Sequence, residues 1–407
     1  MADPKILLFT DQFPFGNYEQ FLETEIIELA KYSDEITVVP TKTGSKQRPL
    51  PSNVTLDTGL ADRIKGNLFS KTIWLCTHLI PAVRTLYDYK KYFLKGDATR
   101  RVLRFVYNCY QSKSWIMSRY SGPIDRAILY TYWFGANTFG IAQWARDQPY
   151  ISVVSRTHRH DLYEEENYPA FIPFRKETID LMDSIYFVSK HGLYYLMEKY
   201  PFGLPKYHFA PLGVRDPGFI CPASDDGVWR ILSCSTIREV KQLDLLLESL
   251  FLLATKRPGK AMAWYHIGSG PGKSKLEQVI KKSSPSNLSC TFLGQLENRE
   301  VLKFYCDQPI DIFINVSRSE GLPVSIMEAQ SCGIPVMATA VGGIPEIVND
   351  QNGVLLSSQP NKLEIADALS KYFLEEAAQK RSASWASWKK GYNGSENYRD
   401  FYQMLVS

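Results

Sequence analysis

The run Ile310-Asp311-Ile312-Phe313-Ile314-Asn315, the loop Ser319-Glu320-Gly321-Leu322-Pro323 and the segment from Val324 to Gln330 follow one another along this chain. The first is a short apolar run bounded by polar residues and reads as a buried strand. The last reads as the opening turns of a helix. A helix start presents unpaired backbone N–H groups and the positive end of the dipole, so the loop of Gly321, Leu322 and Pro323 suits an anion such as a diphosphate. Gly321 lets the backbone come close. Glu320 and Glu328 stand eight residues apart across this junction. Beside a phosphate they would repel it unless they faced other parts of the ligand. Hydroxyl groups are the natural partners, because charge-assisted bonds to an ionised carboxylate are strong. The alternative is that both carboxylates complement the helix N-terminus.

Outward from this stretch the chain alternates strands and helices. Candidate strands at 6–10, 36–40, 127–131, 151–155 and 185–188 are interleaved with helical patterns such as 19–32 and 176–183. A second series at 230–234, 264–267, 290–293, 310–315, 336–339 and 354–356 follows a Pro- and Gly-containing break at 201–213. Such alternation implies parallel sheets wrapped by helices. The 407 residues are enough for two domains. The expected fold class is α/β, two Rossmann-like doubly wound domains facing across a cleft. The expected bounds are 1–205 for a first domain, 206–384 for a second, and 385–407 for a helix returning to the first.

The pattern Ser317-x-x-Glu320-Gly321-Leu322-Pro323, Glu328, Cys332-Gly333-x-Pro335-Val336 and Gly342-Gly343-x-Pro345-Glu346 resembles the signature of glycosyltransferase family 4, retaining enzymes of the GT-B fold, of the bacterial polysaccharide-biosynthesis type. The resemblance implies that Glu320 holds the donor sugar's hydroxyls and Glu328 the ribose. It implies that Lys241, at the start of a helix, binds the donor diphosphate. The family's Arg five residues earlier is Thr236 here, and Arg238 stands two residues later as its candidate replacement.

In Gly268-Ser269-Gly270-Pro271-Gly272 a glycine pair follows a strand, but the third glycine of a dinucleotide fingerprint is missing. In the resembled family the Gly268 turn lies near the nucleotide, and the backbone at Gly294 and Gln295 meets the base. Gly16, in Phe13-Pro14-Phe15-Gly16, stands where such enzymes have a glycine beneath the diphosphate; a plain strand-to-helix turn is the alternative. His158-Arg159-His160-Asp161 matches the family's His-x-x-Asp, which assigns His158 to the donor sugar or its phosphate. The aromatic run Tyr130-Thr131-Tyr132-Trp133-Phe134 reads as an acceptor-side wall or as packing.

Composition narrows the class. Seven scattered cysteines form no metal or redox spacing and read as buried thiols. No window approaches the ~20 apolar residues of a membrane span, and the N-terminal apolar run is too short for a signal peptide. A cytosolic location is therefore expected. Net charge is +4, yet 61–120 alone carries twelve Lys and Arg against three Asp. Its interleaved aromatics suit an anionic membrane surface, which would place the protein peripherally on the inner face, or else ordinary surface helices.

The function expected is transfer of a sugar from a nucleotide diphosphate sugar, a UDP-sugar by preference, to a glycan or polyprenyl-linked acceptor. No cofactor, metal or nucleic-acid partner is expected. A nucleotide-sugar epimerase on the same fold, a sugar-nucleotide-binding protein without turnover, and an NAD-type oxidoreductase are the rivals. The incomplete glycine fingerprint disfavours the last.

Overall fold

The computed structural model describes residues 3–16, 19–65, 96–120 and 126–407. Half of the basic stretch 61–120, namely 66–95, lies outside the described residues. The chain forms two compact units, one of Met1–Ala210 with Tyr398–Ser407 and one of Pro211–Asn397.

The first unit holds seven strands: β1 (Lys5–Thr10), β2 (Ile36–Pro40), β3 (Val54–Leu56), β4 (Ala127–Thr131), β5 (Ile151–Thr157), β6 (Ser184–Phe187) and β7 (Tyr207–Phe209). They pair in the order β3-β2-β1-β4-β5-β6-β7, all parallel. The central strands are continuous apolar runs because helices cover both faces of a parallel sheet. Leu7, Leu129 and Ile185 are fully buried among Ile141 and Ile179 of the covering helices.

The second unit holds β8 (Trp229–Cys234), β9 (Met262–Ile267), β10 (Leu288–Gly294), β11 (Ile312–Asn315), β12 (Val336–Thr339) and β13 (Gly353–Leu356). Its order is β10-β9-β8-β11-β12-β13, again parallel. The helix Leu243–Lys256 places Leu243, Leu246, Leu247, Leu250 and Leu253 at helical spacing, and this stripe is buried with Ile231, Trp264 and Ile314.

Each sheet therefore runs third, second, first, fourth, fifth, sixth, and the first sheet adds a seventh strand at its end. The order reverses between β1 and β4 in one unit and between β8 and β11 in the other. Ligands of open α/β sheets bind outside the carboxyl ends of the strands at such a reversal.

The units differ from the expected bounds in two ways. The first continues to Ala210 because Tyr207–Phe209 pairs with β6, a three-residue strand too short to announce itself. The expected single returning helix is two, Ala377–Gly391 and Gly394–Val406. Trp385 and Trp388 stay in the second unit, and only the stretch from Tyr398 belongs to the first. There Phe401 packs edge-on against Tyr130 and Tyr186, and the buried Arg156 lies 3.9 Å over its ring. No helix among the described residues is long and apolar enough to cross a membrane.

Candidate active site

At the reversal point of the second sheet, the loop after β8 carries Arg238 and Lys241, and the loop after β11 carries Glu320. The backbone N–H of Arg318 donates to Val240 at 2.8 Å and ties the two loops together. Lys241 Nζ lies 2.5 Å from Glu320 Oε1, with the lysine side chain 19% and the glutamate side chain 8% exposed. Asn315, the last residue of β11, donates its amide to the same oxygen at 3.2 Å and accepts the Ser317 N–H at 3.0 Å. Burial opposes ionisation of Glu320. The neighbouring Lys241 charge and the hydrogen bonds from Lys241, Ser317 and Asn315 outweigh it and hold the carboxyl below its ordinary range. Asn315 was not singled out in the sequence; its only signal is its place at a strand end beside the loop.

Glu328, on the helix Val324–Ser331, is half-buried and accepts from the Asn298 amide. Burial pushes its carboxyl up to about 7, against the opposing bond from Asn298. The two glutamates are thus placed in contrasting environments, one ionised by a cation and one poised near neutrality.

The glycines shape these loops through close approach of backbones. Gly342 has φ +55°, and a Cβ there would stand 1.9 Å from the Glu320 carbonyl oxygen. Gly343 donates to the Gly321 carbonyl at 2.8 Å. Gly268 has φ +137°, its Cβ position lies 1.9 Å from the Ser235 oxygen, and its N–H donates to Gly294 at 2.7 Å. Gly268 thus seats the loop that leads to Lys241. Gly294 is in the left-handed region and Gln295 is exposed. Pro323 takes the N-cap position of its helix and Leu322 is buried. Arg238 is exposed, and its carbonyl accepts the Lys241 N–H that closes the turn.

His158 and Gly16 belong to the first unit. His158 follows β5 and caps the short helix Arg159–Leu162; its side chain is 12% exposed. Its ring centroid lies 4.5 Å from Tyr132 and 4.7 Å from Trp133. Both ring nitrogens are buried without a hydrogen-bond partner among the described residues. Asp161 accepts the His158 and Phe134 backbone N–H groups at 2.5 and 2.7 Å, so this carboxylate builds the loop.

Gly16 stands in the loop that follows β1. The N–H groups that follow β1 donate to the chain's own Glu19, from Asp11 at 3.0 Å and from Gln12 and Phe13 at 2.6 Å. Gly16 takes the turn of this loop with φ +60°. Sequence reading missed Glu19 because a glutamate ahead of a helix is a common first-turn residue. Among the described residues no group of three or more His, Cys, Asp or Glu side chains is placed to hold a metal ion.

The family model of Glycosyl transferases group 1 matches residues 229–374, from β8 through both glutamates. The sulfoquinovosyl transferase SQD2 of Arabidopsis thaliana is 36% identical over 108 residues, 26% of this chain and 19% of that protein. The O-antigen biosynthesis glycosyltransferase WbnH of Escherichia coli is 28% identical over 178 residues, 44% of this chain and 46% of that protein. The matches thus span about a fifth to a half of the length of these relatives. Among solved structures, Anabaena Alr3699/HepE in complex with UDP and glucose superposes with a TM-score of 0.67 at 15% identity, covering 98% of this chain and 99% of that one. The apo form of the lipopolysaccharide outer core galactosyltransferase WaaB gives 0.66 at 12% identity, over 97% and 98%. The seven- and six-stranded parallel sheets account for that likeness. Residues 229–374 are therefore a glycosyl transferases group 1 domain, carried by a chain with the GT-B fold.

Proposed function

We propose that this chain is a retaining glycosyltransferase that moves a sugar from a nucleotide diphosphate sugar, a UDP-sugar first of all, to a glycan or lipid-linked acceptor. The observation that carries the reading is the Lys241–Glu320 pair at the reversal point of the second sheet. Its members have complementary tasks. On donor binding the flexible lysine exchanges the carboxylate for the diphosphate, and Glu320 is released to accept the sugar's hydroxyls. Lys241 and the backbone at Gly321 and Leu322 answer the charge that grows on the leaving diphosphate. Glu328 accepts the ribose hydroxyls. No enzyme nucleophile is invoked; the acceptor attacks from the face the diphosphate leaves, and a departing phosphate oxygen takes its proton. That HepE was solved with UDP and glucose supports the choice of UDP.

The test is a panel of nucleotide sugars scored by thermal stabilisation and then by product. A true donor at 100 times its dissociation constant adds about 2.7 kcal/mol. The product should keep the donor's anomeric configuration. Release of a free epimer with no second sugar, or stabilisation by no sugar nucleotide, overturns the reading. The charge on the leaving group is met by Lys241 in this scheme, so EDTA should leave the rate unchanged; activity lost to EDTA and restored by Mn²⁺ would reject it. The basic stretch 61–120 supports a lipid-linked acceptor. Failure of the protein to co-sediment with anionic vesicles at low salt would remove that support.

A further inference from the structure

Four N–H groups at the end of β1 and β4 converge on one carboxylate of the chain itself. Glu19 is fully buried. Its Oε2 accepts the N–H groups of Gln12 and Phe13, and its Oε1 accepts the N–H of Asp11 and the indole N–H of Trp133. Consecutive backbone N–H groups of this kind form the concavity in which proteins commonly grip phosphate. Here it lies at the reversal point of the first sheet, where a ligand anion would be expected. The chain has filled it.

The indole that completes the set packs on the His158 ring, and Tyr132 and Phe21 pack on that ring as well. The imidazole is packed among aromatic faces, neither nitrogen has a hydrogen-bond partner among the described residues, and the Asp161 carboxylate lies 3.9 Å from its Nδ1. Within that wall the Trp133 indole N–H donates to Glu19, and the Trp133 carbonyl accepts the Thr138 hydroxyl at 2.8 Å.

We propose that Glu19 is the internal anion of the first unit and the positioning residue for His158: it takes the place of a ligand phosphate on the β1 loop and, through the Trp133 indole, fixes the wall that orients the imidazole. With the concavity filled, the first unit meets its ligand through aromatic faces and an imidazole, as suits the hydroxyl groups of a glycan. The catalytic part of this inference rests on the glycosyltransfer reading above; the structural part stands without it.

The experiment compares wild type, Glu19→Ala and Trp133→Phe by the ring resonance of His158, assigned by its disappearance in His158→Gln, and by turnover of the best donor in the panel. Glu19→Ala should shift the resonance and lower turnover about 100-fold at saturating donor, the cost of misplacing a group by about 1 Å, with donor KM little changed. Added acetate should enter the emptied concavity and restore both readouts in part, whereas chloride at equal ionic strength should not. Trp133→Phe leaves the three backbone donors on Glu19 and should still move the resonance. A His158 resonance that stays in place in folded Glu19→Ala, or a shift that acetate does not reverse, overturns the proposal. Where Glu19→Ala does not fold, an unmoved resonance in Trp133→Phe overturns it alone. If wild type turns over no sugar nucleotide, the proposed function fails while the resonance and the acetate response still decide the role of Glu19.

Discussion

The two units share one strand order and each places a carboxylate at its reversal point, yet they hold it differently. In the first, Glu19 is gripped by three backbone N–H groups and an indole, all fixed by the fold. In the second, Glu320 is held by side chains, an ammonium on a four-carbon stem, the Asn315 amide and the Ser317 hydroxyl. Backbone donors deprived of their acceptor in a buried loop cost about 1–3 kcal/mol each, so the first arrangement is not exchanged. A lysine can turn to a phosphate while keeping a charged partner throughout. The same topological position is thus a structural part in one unit and an exchangeable site in the other.

The comparison is sharpened most by the glycines behind these loops. Gly342 and Gly16 both have positive φ, +55° and +60°. The Cβ of Gly342→Ala would meet the Glu320 backbone oxygen at 1.9 Å, whereas that of Gly16→Ala would meet the Gln12 side-chain amide at 2.9 Å. A side chain can swing away and a backbone cannot. The left-handed conformation costs Ala about 1–2 kcal/mol at either site, and overpacking adds about 1–3 kcal/mol at Gly342 alone. Denaturant unfolding should show Gly342→Ala losing about 2–5 kcal/mol and Gly16→Ala about 1–2 kcal/mol. Equal losses would mean that the Glu320 loop yields as readily as a side chain.

Next in size is Lys241→Met. If the lysine follows the leaving diphosphate, turnover at saturating donor should fall about 10²–10³-fold, the usual cost of removing one stabilising donor, with a smaller change in donor affinity. A variant with wild-type turnover would leave Lys241 as a mere partner for Glu320 and make the second site as static as the first.

Much of this architecture was legible in the chain because its strands are apolar and punctuated. Ile36–Pro40, Ala127–Thr131 and Val336–Thr339 stand where their patterns place them. Val54–Leu56 and Tyr207–Phe209 were not, since three residues at a sheet edge carry no alternation to read. In the site, Glu320 and Lys241 are recognisable from motif and position, but their pairing across 79 residues is a product of the strand order. Asn298 and Asn315 are invisible for the same reason: each matters through the carboxylate it meets, and a lone Asn at an element's end reads as a cap. Glu19 is the sharpest case, because its partners Asp11, Gln12 and Phe13 act through their N–H groups, which every sequence has.

The smallest expected effect concerns Glu328, and its sign is diagnostic. Burial pushes this carboxyl up to about 7. An acid whose folded-state value is raised carries its burial penalty above that value, where it is charged, and sheds the penalty as the pH falls toward the ordinary glutamate range. Glu328 should therefore make the ligand-free protein slightly less stable above pH 7 than below it. Donor binding should move the other way, because ribose hydroxyls are accepted best by the ionised form, a bond of roughly 1.5–3 kcal/mol. A sugar diphosphate is a diester with no proton that titrates here, so the ligand contributes no slope of its own. Calorimetry from about pH 6 to about pH 8 should show affinity rising with pH in wild type and flat in Glu328→Gln, with the stability slope of the ligand-free protein removed by the same change. An affinity that is level in wild type, or a slope that survives in Glu328→Gln, would take Glu328 out of the ribose site and leave the Lys241–Glu320 pair as the only exchangeable contact of the second unit.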